Sequence, residues 1–96
     1  MKGKDPRGYR KKGLLFSDIE FSSKGERMFV KQQVERLAEK IAEMRKARGI
    51  SQEKLAELAS VSISTVKFIE QHQRTPSLAV LLKIIYALDR NAVIWK

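Results

Sequence analysis

The side chains best placed to do chemistry lie in one stretch of the 96-residue chain, residues 51–74, SQEKLAELASVSISTVKFIEQHQR. Ile63, Ser64, Thr65, Lys67 and Phe68 fall at the start or on the outer face of a short helical segment whose opposite face holds Val66 and Ile69. Ser64 offers a hydroxyl to a base edge or a phosphate. Thr65 can do the same or cap its own helix, and Lys67 is a donor to bases or phosphates. Ile63 and Phe68 have no side-chain hydrogen bond to give; they suit thymine methyl groups or the apolar surface of a protein partner. This is the chemistry of recognition, not of catalysis. The chain has one histidine and no cysteine. Asp5, Asp18 and Asp89 form no short constellation, and the serines near Lys54 and Lys67 make no nucleophile–base pair. Neither an H-E-x-x-H metal motif nor a phosphate-cradling loop occurs. No enzymatic activity, cofactor or metal is expected.

Two helices must position these groups. The first begins at Ser51, whose hydroxyl can cap free backbone N–H groups; Lys54 stands where a capping box would place an acid, so the box is incomplete. Leu55, Ala56 and Ala59 share one face, and the short alanines let two helix backbones approach closely. Ser60, Val61 and Ser62 form the break, with Val61 plugging the turn. Ser62 caps a second helix from Ile63 to about Gln71. Two helices joined in this way make a helix-turn-helix, whose second helix can enter a major groove.

The longer stretch SQEKLAELASVSISTVKFIEQHQRTPSLAVLLKIIYAL resembles the helix-turn-helix of the phage Cro and phage repressor type (XRE-like), a large class of small DNA-binding domains. The likeness runs from about Val34 to Leu88. It is carried by Ile41 and Arg45, by Gly49 and Ile50 before a serine–glutamine pair, and by Leu55-Ala56 and Val61-Ser62. Ser64-Thr65-Val66, Ile69-Glu70 and Thr75-Pro76-Ser77-Leu78 continue it. The resemblance implies a compact all-α helical bundle that binds double-stranded DNA as a sequence-specific transcriptional regulator, a homodimeric repressor. Some members of the class are antitoxins that neutralise a partner toxin and autoregulate their operon, and this is the alternative. By resemblance, Gln52 binds a phosphate and helps orient the recognition helix, although a glutamine at a helix start needs no such role. Arg74, Thr75 and Ser77 would lie near a loop that approaches the DNA backbone, and Glu70 would receive a hydrogen bond or salt bridge within the scaffold. Ser60 and His72 replace glycines common in the turns of this class, so altered local geometry is expected there. His72 either contacts phosphate or simply completes its turn.

The whole chain fits a soluble, cytoplasmic, single-domain protein. Its 20 basic and 11 acidic residues give a formal net charge of +9, a field that attracts DNA, RNA or an acidic protein. Residues 1–33 hold nine basic and four acidic residues and the rest hold eleven and seven, so the helical part stays basic by itself. The absence of cysteine excludes a disulfide framework. No long apolar run follows the charged start, which argues against a secretory signal or a membrane span.

Three segments are expected: a basic, partly disordered extension with an apolar island over 1–23, the helix-turn-helix domain over 24–90, and an interface segment over 91–96. Residues 1–13, MKGKDPRGYRKKG, offer little apolar surface to repay ordering. They read as a disordered tail that either aids solubility or brings Lys2, Lys4, Arg7, Arg10, Lys11 and Lys12 to DNA phosphates or a minor groove. Leu14, Leu15, Phe16, Ile19 and Phe21 form the island, part of it a short strand or extended piece. It packs on its own domain, on a second copy or on a separate partner. A long helix follows from Ser23 or from after Gly25, with Val30, Val34, Leu37, Ile41 and Met44 inward and Gly49 ending it at positive φ. Arg45, Lys46 and Arg48 suit its carboxyl end, and Arg45 and Lys46 serve as a solvated cationic cap or as phosphate donors. Ser77 caps the last helix, whose packing face is Leu78, Leu81, Leu82, Ile85 and Leu88, with Lys83 outside. The closing AVIWK reads as a short strand at a dimer interface, with Val93 and Trp95 on one side; Trp95 alternatively closes its own core.

Overall fold

A computed structural model describes residues 14–90. The expectations for residues 1–13 and for 91–96, including Val93 and Trp95, lie outside them. Among the described residues four helices follow one another: α1 (Lys24–Ala47), α2 (Gln52–Ala59), α3 (Ile63–Glu70) and α4 (Leu78–Leu88). Two short strands, β1 (Leu14–Leu15) and β2 (Arg74–Thr75), add an antiparallel pair to this all-α bundle. Among the described residues no helix is long and apolar enough to cross a membrane.

Serines start all four helices. Ser23, Ser51, Ser62 and Ser77 accept hydrogen bonds from the N–H groups of Glu26, Lys54, Thr65 and Val80 at 3.0–3.2 Å. Each satisfies one of the donors a helix start leaves open and contributes about 1 kcal/mol. At α1 the cap is doubled. Glu26 turns back to accept from the N–H and hydroxyl of Ser22, at 2.6 and 2.9 Å, and these bonds, the backbone one first, hold its carboxyl below the ordinary range. Gly49 closes α1 at φ 67°. A Cβ there would meet nothing within 4 Å, so the need for glycine is conformational, not steric crowding.

The core is one cluster: Ile41 from α1, Leu55, Ala56 and Ala59 from α2, Val66 and Ile69 from α3, and Ile84 and Leu88 from α4. The helix α2 lies at its centre, packed on both α3 and α4. Its alanines at 4 % exposure give the close approach expected of them. Two packing faces differ from the sequence expectation. In α1 the inner position goes to Ala38, while Leu37 lies on the flank at 39 % exposure. In α4 the buried pair is Ile84 and Leu88, supported by Val80, Leu81 and Ala87. Leu78 and Leu82 point outward, with Tyr86. The segment LAVLLKIIYAL has a single charged residue, so no polar face fixes its phase from sequence.

The apolar island packs within its own chain. β1 pairs with β2 in the register Leu14 to Thr75 and Leu15 to Arg74, and the Phe16 N–H donates to the Gln73 carbonyl at 3.3 Å. A 3-10 turn (Phe16–Asp18) then lets the chain double back. The Phe16 and Phe21 rings meet at 5.5 Å between centroids, and the Arg27 guanidinium of α1 lies 5.6 Å over Phe16. The island is thus a strap joining the start of α1 to the segment that follows α3.

Candidate nucleic-acid interface

The helix α3 has eight residues, too few to be stable alone in water. Its orientation comes entirely from its neighbours. Val66 and Ile69 face the core at 1 % and 6 % exposure. Thr65, expected on the outer face, is turned inward: it is 5 % exposed, with its hydroxyl 2.9 Å from that of Ser62. The two hydroxyls satisfy each other at the helix start, so the capping role takes Thr65 away from the surface. Ile63 is half-buried against the core cluster and likewise contributes to packing. Lys67 is exposed, Ser64 is half-buried, and Phe68 is half-buried with the Arg74 guanidinium 4.9 Å over its ring. Of the five sequence candidates on this helix, Lys67 and Ser64 are the polar groups it presents outward, flanked by Phe68.

A polar network fixes the end of α3. Arg45 of α1 donates from Nε and from one terminal nitrogen to the two oxygens of Glu70, at 2.8 and 3.0 Å. Its other terminal nitrogen donates to the Ile50 carbonyl at 2.9 Å. Gln52 at the start of α2 donates from Nε2 to Glu70 at 3.0 Å. The side chains of Arg45 and Glu70 are 11 % and 7 % exposed. Burial alone would raise the Glu70 carboxyl; the hydrogen bonds from Arg45 and Gln52 and the charges of Arg45 and Lys46 together hold it below its ordinary value. The bond to Glu70 in turn raises Arg45. Glu70 therefore holds the scaffold role expected of it. Arg45 is a fork between three segments and not a solvated helix cap. One of the two Gln52 amide hydrogens is committed to this network, which ties the start of the first motif helix to the end of the second.

The turns on either side of α3 hold non-glycine residues in the left-handed region, Ser60 at φ 55° and His72 at φ 64°. Both residues hold this backbone at a conformational cost that glycine would not bear. Lys83 of α4 reaches back to the Ser60 carbonyl at 3.0 Å, and the His72 N–H donates to Ile69 at 3.0 Å. Arg74 and Thr75, expected near a phosphate-contacting loop, form β2, pair with β1 and are half-buried. The Gln73 N–H donates to the Phe68 carbonyl at 2.9 Å, so β2 is joined directly to the last turn of α3. The sequence carries no signal for this pairing, because two-residue strands have no periodicity.

The arrangement is a fixed helix with a cationic, hydrogen-bonding outer face. Comparison with curated proteins and with solved structures found no match. A family model described as helix-turn-helix matches residues 41–94, which take in the last two turns of α1, both motif helices and α4. Its span covers more than half of the chain and includes every member of the Arg45–Gln52–Glu70 network. The motif points to a DNA-binding, regulatory role. In the order of its elements, in the core that joins them and in the matched span, the chain belongs to the helix-turn-helix family.

Proposed function

We propose that the protein is a sequence-specific regulator of transcription that binds double-stranded DNA as a homodimer and represses by occupying its operator. The observation that carries this reading is the presentation of α3: one face is locked into the core and one end into the Arg45–Glu70–Gln52 network, while Lys67 and Ser64 face outward. A helix held in this way loses little freedom when it enters a major groove. The net charge of +9 draws the protein to the phosphate backbone, and the outer side chains of α3 choose among sequences. Two copies would set two recognition helices about 34–36 Å apart on a two-fold operator. Val93 and Trp95, beyond α4, are assigned to that dimer contact, and the cytoplasm is the compartment where such a regulator works.

The alternative, an antitoxin that also binds its own operator, is favoured by one specific feature. Met28 and Phe29 on the first turns of α1 are 57 % and 63 % exposed, adjacent in sequence and outside the core. They offer a protein partner an apolar surface. Selection of bound sequences from a random duplex library, followed by comparison of the winner with a scrambled duplex, tests the repressor reading. A two-fold motif is expected. The folded double variant Ser64→Ala/Lys67→Ala should lose most of the discrimination between winner and scramble, on the order of tenfold or more from about 1–3 kcal/mol per base contact. Unchanged discrimination would remove these residues from the interface. Co-purification of a stoichiometric complex with a toxin would move the assignment to the alternative.

A further inference from the structure

We infer that the outer face of α4, formed by Leu78, Leu82 and Tyr86, is a two-fold interface on which a second copy of this chain docks. The inference deepens the homodimer reading above and rests on it, but it names a surface other than Val93 and Trp95. It starts from the phase of α4. Ile84 and Leu88 point into the core, each 1 % exposed. Leu82 lies about 160° around the helix from Ile84, with Leu78 one turn before it and Tyr86 one turn after. These three are 39 %, 71 % and 58 % exposed. The helix has one charged residue, Lys83, whose Nζ donates to the Ser60 carbonyl at 3.0 Å, towards the turn between α2 and α3. The outer stripe therefore carries no charge of its own. A helix apolar on every side belongs in an interior, yet α4 is covered by its own chain on one side only.

Symmetry and charge identify the occupant as a second copy. In a two-fold contact each patch meets itself. Leu78, Leu82 and Tyr86 are evenly spaced, about 6 Å apart along the axis. An antiparallel pair of α4 helices crossing at Leu82 thus sets Leu82 against Leu82, and Leu78 against Tyr86 of the second copy. Two chains of net charge +9 repel one another. An uncharged face is where they can meet without opposing like charges, and it offers an acidic protein no cation to pair with. The Tyr86 ring is already covered by the Arg90 guanidinium at 5.5 Å, so little of its freedom is left to lose on docking.

The available area fits as well. The stripe leaves roughly 300 Å² of apolar surface per copy, in the range where such a patch is commonly functional. A standard interface takes about 800 Å² from each side, a little over half of it apolar. The remainder lies next to the stripe. Ala79 is exposed, and Leu81 leads into an apolar cleft of about 150 Å³ lined also by Leu37 and Pro76. Pro76 and Leu81 place this cleft at the Leu78 end of α4, where Tyr86 of the second copy arrives. The arrangement is compatible with DNA binding. The helix α4 packs on α2 and α1, while α3 packs on α2, α1 and β2, so docking through α4 leaves the outer side of α3 open.

The test uses the full chain, which has no cysteine of its own. Packed helices have axes about 8–10 Å apart and Cα atoms about 2.3 Å from each axis, so two facing Leu82 Cα atoms lie about 4–6 Å apart, within disulfide reach. Leu82→Cys is expected to form an interchain disulfide on mild oxidation, whereas Phe29→Cys, on the exposed start of α1, is not. Equal cross-linking at the two positions would reflect random collision and count against the face. Sedimentation equilibrium reads the monomer–dimer constant of further variants, with folding checked by helical circular dichroism. Leu82→Asp should weaken dimerisation on the order of a hundredfold, because it sets two carboxylates against each other. An equimolar mixture of Leu82→Asp and Leu82→Lys should restore the dimer as a heterodimer, which only a position that meets itself can do. A wild type that stays monomeric at the highest concentration sedimented overturns the interface and the homodimer reading together. A dimeric wild type whose constant Leu82→Asp leaves unchanged overturns the interface alone. Rescue in a chain that selects no DNA sequence upholds the interface and removes the regulator reading.

Discussion

The Arg45–Glu70 pair gives the sharpest test of how α3 is held. Replacing Glu70 with alanine removes both acceptor oxygens of the fork and the acceptor of Gln52, while Arg45 keeps its charge. Removing one partner of a buried ion pair costs about 3–5 kcal/mol because the other charge is left uncompensated. Here the side chains are 11 % and 7 % exposed and Arg45 retains the Ile50 carbonyl, so the low end applies, about 3 kcal/mol. A domain of this length has roughly 5–14 kcal/mol in all. The loss should lower the melting temperature by about 12–24 °C. Urea unfolding followed by helical circular dichroism measures it, with Arg45→Met and the double variant completing a thermodynamic cycle. The double variant should be less destabilised than the two single changes predict, because no orphaned charge remains. A cost below about 1 kcal/mol for Glu70→Ala, or additive single effects, would refute the claim that this pair secures the helix.

The same carboxylate makes stability depend on pH. Its folded-state value lies below its ordinary value of 4.5, so its contribution is complete above the unfolded value and is lost as pH falls through the folded one. The urea midpoint of the wild type should fall below about pH 4.5 more steeply than that of Glu70→Gln; Glu26 shares the direction of shift and is common to both proteins. Ser60→Gly relieves a side chain held at φ 55° and leaves the carbonyl bonded to Lys83, so thermal denaturation should show a gain of about 0.5–1 kcal/mol. Trp95→Ala should weaken dimerisation by about 2 kcal/mol, roughly thirtyfold, if the closing segment is the dimer contact; an unchanged monomer–dimer constant in sedimentation would reject that assignment.

What the sequence made legible is what depends on near neighbours in the chain. A serine three residues before a free N–H is a cap wherever the helix goes, and Ser51, Ser62 and Ser77 behave as read. Gly49 is likewise a local requirement. The inner residues of the motif were legible because polar residues fix the phase of α2 and α3. In α4 apolar residues occupy nearly every position, and the choice between the faces of Leu82 and Ile84 is made by α2 and α3, which no local pattern reports. Thr65 carries two roles in one residue type, and only the 2.9 Å contact with Ser62 decides between them. Arg45 pairs across 25 residues, and the strap pairs across about 60, so neither has a periodic signature.

These long-range contacts share a target. The helix α3 cannot persist on its own, and three separate devices act on it. The core takes Val66 and Ile69, the ion-paired network takes Glu70, and the strap reaches Phe68 through Gln73 and Arg74. Burial of Val66 and Ile69 fixes how deeply α3 sits and which face turns inward, but apolar contacts are non-directional and set the finer rotation only loosely. The hydrogen bonds supply direction: Glu70 is held from α1 and α2, and the Phe68 carbonyl from the segment that pairs with β1. Rotation by one residue would turn Lys67 by about 100° and replace it on the outer face by Phe68. The directional contacts therefore refine the orientation in which α3 presents Lys67, and they come from α1, α2 and the segment that pairs with β1.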